Sequence, residues 1–248
     1  MVRDLVVLVV AGTGTAFATG LGAVPVFLLG HGVGRFRPLL WGLAAGLMTV
    51  ASVVGLLAPA LEEGSGAAVA GGLVAGVVFL LVTRRALASR DVHVGVLRGA
   101  GVRRSLLVLG VLFVHSLPEG FAIGTAFASD REGLSLYIVL AIALQNLPEG
   151  TTSAIPMQQA GFRAAQQFWA AVLTSVPQPV GAVVAYLLVE EIDALLPVSF
   201  AFAAGAMLAL VALELVPQAF TRRTWRSASA GAAAGAAAML ALSALVGV

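Results

Sequence analysis

Two glutamates, Glu119 and Glu149, occupy identical Leu-Pro-Glu-Gly motifs inside long apolar stretches of the chain. His115 precedes the first glutamate by four residues, and Gln145 precedes the second by the same spacing. Residues four apart lie on one face of a helix, so each copy aims two side chains at a common point. Charged residues inside a membrane are costly and mark functional sites. The repeated motif therefore predicts one binding site built from two helices.

The donor groups of this site favour a divalent transition metal. Two carboxylates supply a formal charge of −2, which suits a divalent cation. An imidazole suits zinc, iron, nickel or copper better than calcium or magnesium. The chain has no cysteine, so thiolate ligands are excluded and the metal must be held by nitrogen, carboxylate, amide or thioether groups.

The composition is that of a membrane protein. Of the 248 residues, 60% are hydrophobic and 10% are charged, and the mean hydropathy is +1.02, far above that of soluble domains. Stretches long enough to cross about 30 Å of hydrocarbon predict one all-α integral membrane domain, 1–248, with eight transmembrane helices. The predicted spans are 5–29, 38–60, 66–83, 105–128, 134–158, 165–189, 197–219 and 227–247.

The charges of the loops assign an orientation. All fourteen basic residues are arginines, and most lie in four alternate loops, the longest of which holds Arg90 and Arg98. These loops should be cytoplasmic, so both termini are predicted to lie outside. The opposite loops are acidic, with Arg131 as their one basic residue. Glu62 and Glu63 in an outer loop would attract cations to the entrance. The arginines thus indicate topology and not nucleic-acid binding.

Depth within the predicted spans adds further candidates. Met48, Ser116, Asn146 and Gln178 lie near the centres of their spans, at the level of the paired motifs. Gln178 stands between two prolines, which predicts a broken helix at that depth. Glu214 lies nearer the cytoplasmic end of the seventh span, where it could serve as an exit ligand or gate. A methionine in a membrane helix is more often packing, and the amides could instead hydrogen-bond neighbouring helices.

The two halves of the chain resemble each other in sequence. The second and seventh spans each contain a small-residue segment, ending at Met48 and Met207 respectively, followed by a proline. In the assigned orientation the second span runs outward and the seventh inward, and the fourth and fifth spans are related in the same way. Both matched pairs are therefore antiparallel. This is typical of inverted-topology repeats, which build transporters with a site near the membrane midplane.

On these residues the chain resembles the ZIP (Zrt/Irt-like) family of divalent metal transporters. Members of that family have eight spans, outward termini and His-x-x-Pro-Glu-Gly type motifs in spans four and five. The resemblance extends to the segment ending at Met48, to residues 178–182 in span six and to residues 202–217 in span seven. It implies a primary metal site formed by Met48, His115, Glu119, Gln145 and Glu149.

The chain departs from the family pattern at a second metal position. Many relatives place a second metal beside the first, held by the two glutamates and by residues at the positions of Ser116, Asn146 and Gln178. In those relatives the first of these three positions is Asn and the other two are carboxylates. Because all three are neutral here, we predict a mononuclear site. The histidine-rich loop of many eukaryotic members is also missing, since the corresponding segment holds only His93. The missing loop argues against metal sensing by such a loop. The resemblance is to family members of the prokaryotic type, which implies a location in the prokaryotic cell (inner) membrane.

Together these features predict a transporter that moves Zn²⁺, or alternatively Cd²⁺, Fe²⁺ or Mn²⁺, into the cytoplasm by alternating access through a midplane site in spans four and five. Its partners are the metal ion and the lipid bilayer, and a second copy of the chain in a homodimer is left open. The chief alternative is an intramembrane metal-dependent enzyme, but the His-Glu-x-x-His motif is absent and an inverted repeat has no role in hydrolysis. A proton-coupled carrier of organic solutes would need aromatic or arginine side chains at the depth of the site.

Overall fold

The computed structural model describes residues 2–88 and 100–248, and in those ranges the regular structure is entirely helical. The loop residues Arg90, His93 and Arg98 lie outside the described residues. The helices form eight rods, which we number along the chain. They are Val2–Leu29 (rod 1); Arg37–Val50, Ala51–Leu57 and Ala58–Glu63 (rod 2); Gly66–Ala88 (rod 3); Ala100–Ala128 (rod 4); Leu134–Gln159 (rod 5); Ala164–Thr174 and Pro177–Glu191 (rod 6); Leu196–Leu210, Val211–Leu215 and Val216–Ala219 (rod 7); and Trp225–Val246 (rod 8).

The rods are those of an integral membrane protein. Within the described residues, 6 segments are long and apolar enough to cross a bilayer, and they correspond to rods 1, 2, 3, 6, 7 and 8. Rods 4 and 5 carry the paired motifs. Rod 5 is rich in buried polar side chains, which lower its hydropathy without exposing polar groups to lipid. The all-α integral membrane class is thus confirmed, and the count of eight crossings stays a prediction.

Contacts at one end of the molecule fix the directions of several rods. Arg131, which follows rod 4, forms ion pairs with Glu62 and Glu63 at the end of rod 2. Gly64, directly after rod 2, packs against Pro197 at the beginning of rod 7. Rods 2 and 4 therefore end, and rod 7 begins, at the same side, which we call the acidic end. Rods 2 and 7 run in opposite directions, as an inverted repeat requires.

Rods 2 and 7 also share an unusual order of helix types. In each, an α-helix is followed by a π-helical segment, Ala51–Leu57 in rod 2 and Val211–Leu215 in rod 7, and then by a short α-helix with a proline near its start. Rod 1 packs on rod 5 as rod 6 packs on rod 4, and rod 2 packs on rod 8 as rod 7 packs on rod 3. Rod 1 thus corresponds to rod 6, rod 2 to rod 7, rod 3 to rod 8 and rod 4 to rod 5. Under this correspondence the pair of rods 1 and 5 matches the pair of rods 6 and 4, and the pair of rods 2 and 8 matches the pair of rods 7 and 3. The architecture thus supports the inverted repeat that the sequence predicts.

Two close approaches between rods bring the candidate site together. A Cβ atom at Gly150 of rod 5 would overlap the carbonyl oxygen of Thr19 in rod 1, and one at Gly120 of rod 4 would overlap the carbonyl oxygen of Gln178 in rod 6. Only glycine permits this backbone contact. Such small residues let membrane helices pack closely and gain dispersion energy where the hydrophobic effect is absent.

The close contact of rod 1 with Gly150 predicts that a larger side chain at this position destabilises the protein. We expect Gly150→Ala to lower the thermal unfolding midpoint of the detergent-solubilised protein, because overpacking costs about 1–3 kcal/mol and the obstacle is backbone. Gly71→Ala in rod 3 is the matched control, since none of the described residues places an atom within 4 Å of a Cβ built there. Equal unfolding midpoints for the two variants would contradict the packing of rod 1 on rod 5.

Candidate metal centre

Three titratable side chains from rods 4 and 5 meet in the interior. His115 Nε2 lies 3.4 Å from Glu119 Oε1 and 3.9 Å from Glu149 Oε1. One potential ligand atom from each residue falls within 4.8 Å of the others, and this is the one such group of three or more among the described residues. All three side chains are buried. The structure therefore joins the first motif to the glutamate of the second.

Two amides from different rods enclose the Glu119 carboxylate. Gln145 Nε2 donates a hydrogen bond to Glu119 Oε1, and Gln178 Nε2 donates to Glu119 Oε2 at 2.6 Å. Hydrogen bonds to a carboxylate are among the strong ones in proteins, so the two amides hold the Glu119 side chain in place. Rotation of the Gln145 carboxamide would turn its Oε1 toward the position now occupied by its nitrogen. Gln145 can therefore serve either as a donor to Glu119 or as an oxygen ligand.

Several buried polar atoms around this group lack hydrogen-bond partners within the described part of the chain. They are both ring nitrogens of His115, Oε1 of Gln145 and Oε1 of Glu149. Each buried polar atom without a partner costs about 1–3 kcal/mol, so their concentration at one place calls for an explanation. A cation bound among them would satisfy one nitrogen and three oxygens, counting Glu119. Four nitrogen and oxygen ligands fit the tetrahedral coordination of Zn²⁺.

A second layer of polar groups adjoins Glu119. Asn146 Nδ2 donates to the carbonyl oxygen of Thr15 at 2.7 Å, and the Thr15 hydroxyl donates to Gln178 Oε1 at 2.8 Å. The hydroxyl of Ser116 is directed to its own helix, where it donates to the Leu112 carbonyl at 3.0 Å. The neutral side chains of Ser116, Asn146 and Gln178 thus make hydrogen bonds within the protein. Thr15 was not predicted as a site residue. The first span contains three threonines, Thr13, Thr15 and Thr19, and the spacing of one helical turn between Thr15 and Thr19 was the available signal.

Rod 6 is interrupted where Gln178 enters the site. Its first helix ends at Thr174 and its second begins at Pro177, in agreement with the break that the flanking prolines predict. The Ser175 hydroxyl in the interruption lies 2.6 Å from the hydroxyl of Thr19 in rod 1. This contact joins the break to rod 1. Gln178 lies in the first turn of the second helix, where its amide contacts Glu119.

Met48 lies in rod 2 and is fully buried in the main apolar core. A thioether in that setting packs well against apolar neighbours whether or not it binds metal. The structure therefore agrees with a packing role, and ligation by Met48 stays a prediction.

The acidic candidates outside the centre are engaged in ion pairs. Glu214 lies 2.8 Å from Arg84 Nε at the side opposite the acidic end. Arg131 Nε donates to Glu63 at 3.1 Å, and its Nη2 donates to Glu62. The hydrogen bond that Arg131 donates to Glu62 is the main cause that raises the pKa of Arg131. All three carboxylates are thus neutralised in part by arginines, and their roles along a metal pathway stay predictions.

The fold and the buried donor set define a membrane transporter of metal ions, and the comparisons with known proteins agree. The family model described as ZIP Zinc transporter matches residues 84–243. The zinc transporter GufA of Myxococcus xanthus is 33% identical over 246 residues, which cover 93% of this chain and 94% of that protein. The zinc transporter ZIPB of Bordetella bronchiseptica is 31% identical over 255 residues, 96% of this chain and 81% of that protein.

A longer protein of Arabidopsis thaliana is 35% identical over 233 residues, which are 93% of this chain but only 37% of the plant protein. The chain therefore belongs to the ZIP family, as the paired motifs indicated. Since members of this family are zinc transporters, the alternative of an intramembrane enzyme is set aside.

Proposed function

We propose that the protein carries Zn²⁺ across the prokaryotic cell membrane into the cytoplasm, through a site formed by His115, Glu119, Gln145 and Glu149. The observation that carries the proposal is the group of unpaired ligand atoms where rods 4 and 5 meet. An apolar core would bury such atoms only at a cost. A transported cation explains why they are kept there.

The ligand types support zinc as the physiological ion. A neutral imidazole and carboxylate oxygens suit Zn²⁺ and its first-row neighbours, whereas Ca²⁺ and Mg²⁺ prefer sites made of oxygen alone. The relatives GufA and ZIPB are zinc transporters by name. We therefore rank Zn²⁺ above Cd²⁺, Fe²⁺ and Mn²⁺ as the substrate.

The distribution of charge supports inward transport. Arg84 at the end of rod 3 lies opposite the acidic end, and the predicted cytoplasmic loops contain most of the other arginines. The acidic end, with Glu62 and Glu63, then faces outward. A divalent ion entering a cell with a negative interior gains about 4.6 kcal/mol per 100 mV, twice the value for a unit charge. The membrane potential alone would therefore drive uptake.

The packing of the rods supports alternating access. Rods 1 and 5 and rods 4 and 6 surround the site, and in this arrangement His115 and Glu119 are 0% exposed. An ion can reach them only when the rods move. Two halves of inverted topology provide two related arrangements, one open to each side of the membrane.

Metal uptake into proteoliposomes tests the proposal. We expect saturable uptake of Zn²⁺ that exceeds the leak of protein-free vesicles, with Cd²⁺, Fe²⁺ and Mn²⁺ as competitors of graded strength. Correctly inserted protein that moves none of the four ions would overturn the function. Stronger uptake of Fe²⁺ or Mn²⁺ than of Zn²⁺ would overturn the choice of substrate.

Metal binding should also depend on pH. Imidazole must be neutral and the carboxylates ionised to bind metal, so metal binding competes with protons and we expect Zn²⁺ affinity to fall as the pH is lowered. Calorimetric titrations between pH 8 and pH 5 measure this dependence. A constant affinity across the range would show that His115 is not a ligand.

A further inference from the structure

Thr15 in rod 1 contacts two of the three amide side chains near the metal centre, those of Gln178 and Asn146. Its hydroxyl lies 2.8 Å from Gln178 Oε1 in rod 6, and its carbonyl oxygen accepts a hydrogen bond from Asn146 of rod 5 at 2.7 Å. The side chain is 1% exposed. A single residue of rod 1 therefore contacts the polar layers of two other rods.

The Thr15 hydroxyl has one proton and two acceptors within reach, since the carbonyl oxygen of Gly12 also lies at 2.8 Å. Glu119 decides between them. Gln178 Nε2 donates to Glu119 Oε2, and reversing that amide would place two oxygens against each other. Gln178 must therefore turn its Oε1 toward Thr15, whose hydroxyl at 2.8 Å is the nearer of two donors to this oxygen, the other being Asn146 Nδ2 at 3.3 Å. The Gly12 carbonyl lies within rod 1 and can accept the helical amide four residues on.

We propose that Thr15 is a positioning residue for the metal site, acting through Gln178 on Glu119. The chain of hydrogen bonds fixes the Gln178 amide, and the amide holds Glu119 Oε2 so that Oε1 stays directed at His115. Outer partners of this kind orient metal ligands, and their loss typically weakens metal binding by about 10–100-fold. This inference rests on the proposed function, because it assumes that Glu119 is a ligand.

The chain supplies a matched control for this role. Thr19 lies one turn further along rod 1 and also places a buried hydroxyl against rod 6, 2.6 Å from the hydroxyl of Ser175. Both threonines therefore connect the same two rods through side-chain oxygens. Of these two threonines, Thr15 bonds the Gln178 amide, which in turn bonds Glu119, whereas Thr19 bonds a serine hydroxyl. A purely structural role would make the two residues equivalent.

The test compares Thr15→Val, Thr15→Ser and Thr19→Val by calorimetric Zn²⁺ binding and by proteoliposome uptake. We expect Thr15→Val to weaken Zn²⁺ affinity about tenfold or more and to raise KM for uptake with little change in kcat, while Thr15→Ser restores both values. Thr19→Val should bind Zn²⁺ as the wild type does. In a Gln178→Met background, Thr15→Val should cause no further loss of affinity, because the connection is already cut.

The possible results distinguish a failure of the role of Thr15 from a failure of the proposed transport function. Equal Zn²⁺ affinities for Thr15→Val and Thr19→Val, beside normal wild-type binding, would overturn the role of Thr15 alone. A wild-type protein without Zn²⁺ binding would overturn the proposed function and this inference together. Thr15→Ala removes the same hydroxyl without adding apolar bulk and provides the same comparison if Thr15→Val fails to fold.

Discussion

Replacement of Glu119 or Glu149 by alanine is expected to abolish nearly all Zn²⁺ transport. Either change leaves a divalent ion facing a formal charge of −1 in surroundings that penalise uncompensated charge severely. Loss of Glu119 has a second consequence, because its two oxygens accept hydrogen bonds from Gln145 and Gln178. Without that carboxylate both amides lose their acceptor and the ligand layer loses its order.

The measurement is Zn²⁺ uptake by proteoliposomes that contain equal amounts of inserted protein. Glu191→Ala is a suitable control, because Glu191 is exposed at the end of rod 6. Its substitution removes one carboxylate without changing the metal centre. Glu119→Gln and Glu149→Gln keep the shape of the side chain and test the charge alone. Wild-type uptake by both alanine variants would show that the site lies elsewhere.

The sequence predicted the core of the centre because its residues obey local rules. His115 and Glu119 are spaced by one helical turn, and ionisable side chains in apolar spans must be buried together. The hydrogen bonds around Glu119 were not predictable in this way. Which hydroxyl of rod 1 faces Gln178 depends on how rods 1 and 6 pack where Gly12 approaches Pro179, and that contact is a property of tertiary packing.

The helix types of two spans were not predictable for similar reasons. The sequence predicts transmembrane helices around Met48 and Met207 without specifying their type, and each span has a π-helical segment. In rod 2 this segment includes Gly55, where a Cβ would overlap the ring of Tyr137 in rod 5. Packing between rods thus accompanies the widened turn, and local propensity gives no sign of it.

The end of rod 3 shows a different limit. The span was predicted to end at residue 83, where hydropathy falls, whereas the helix continues to Ala88. Arginine is a good helix former, so Arg84 and Arg85 extend the helix beyond the apolar stretch. Hydropathy marks where a chain leaves the membrane and not where its helix ends.

The second prediction is that one metal ion occupies the centre. Two divalent ions about 4 Å apart repel each other by about 16 kcal/mol at an effective dielectric constant of 20. Glu119 and Glu149 neutralise only one of them. The structure strengthens the argument, because a second ion beside Glu119 Oε2 would have to displace the Gln178 amide. Asn146 is engaged by Thr15, and Ser116 donates to the backbone of its own helix.

Anomalous diffraction from zinc-soaked crystals decides the number of ions. We expect one peak beside His115 in the wild type, and two well-occupied peaks within about 5 Å would contradict a mononuclear site. Gln178→Glu is the complementary variant, because it adds a charge at nearly constant shape and its carboxylate can still accept the Thr15 hydroxyl proton. The substitution replaces the Gln178 amide, which donates to Glu119, by a third carboxylate. The added negative charge offsets part of the repulsion between two metal ions. A second peak should therefore appear in this variant and not in the wild type.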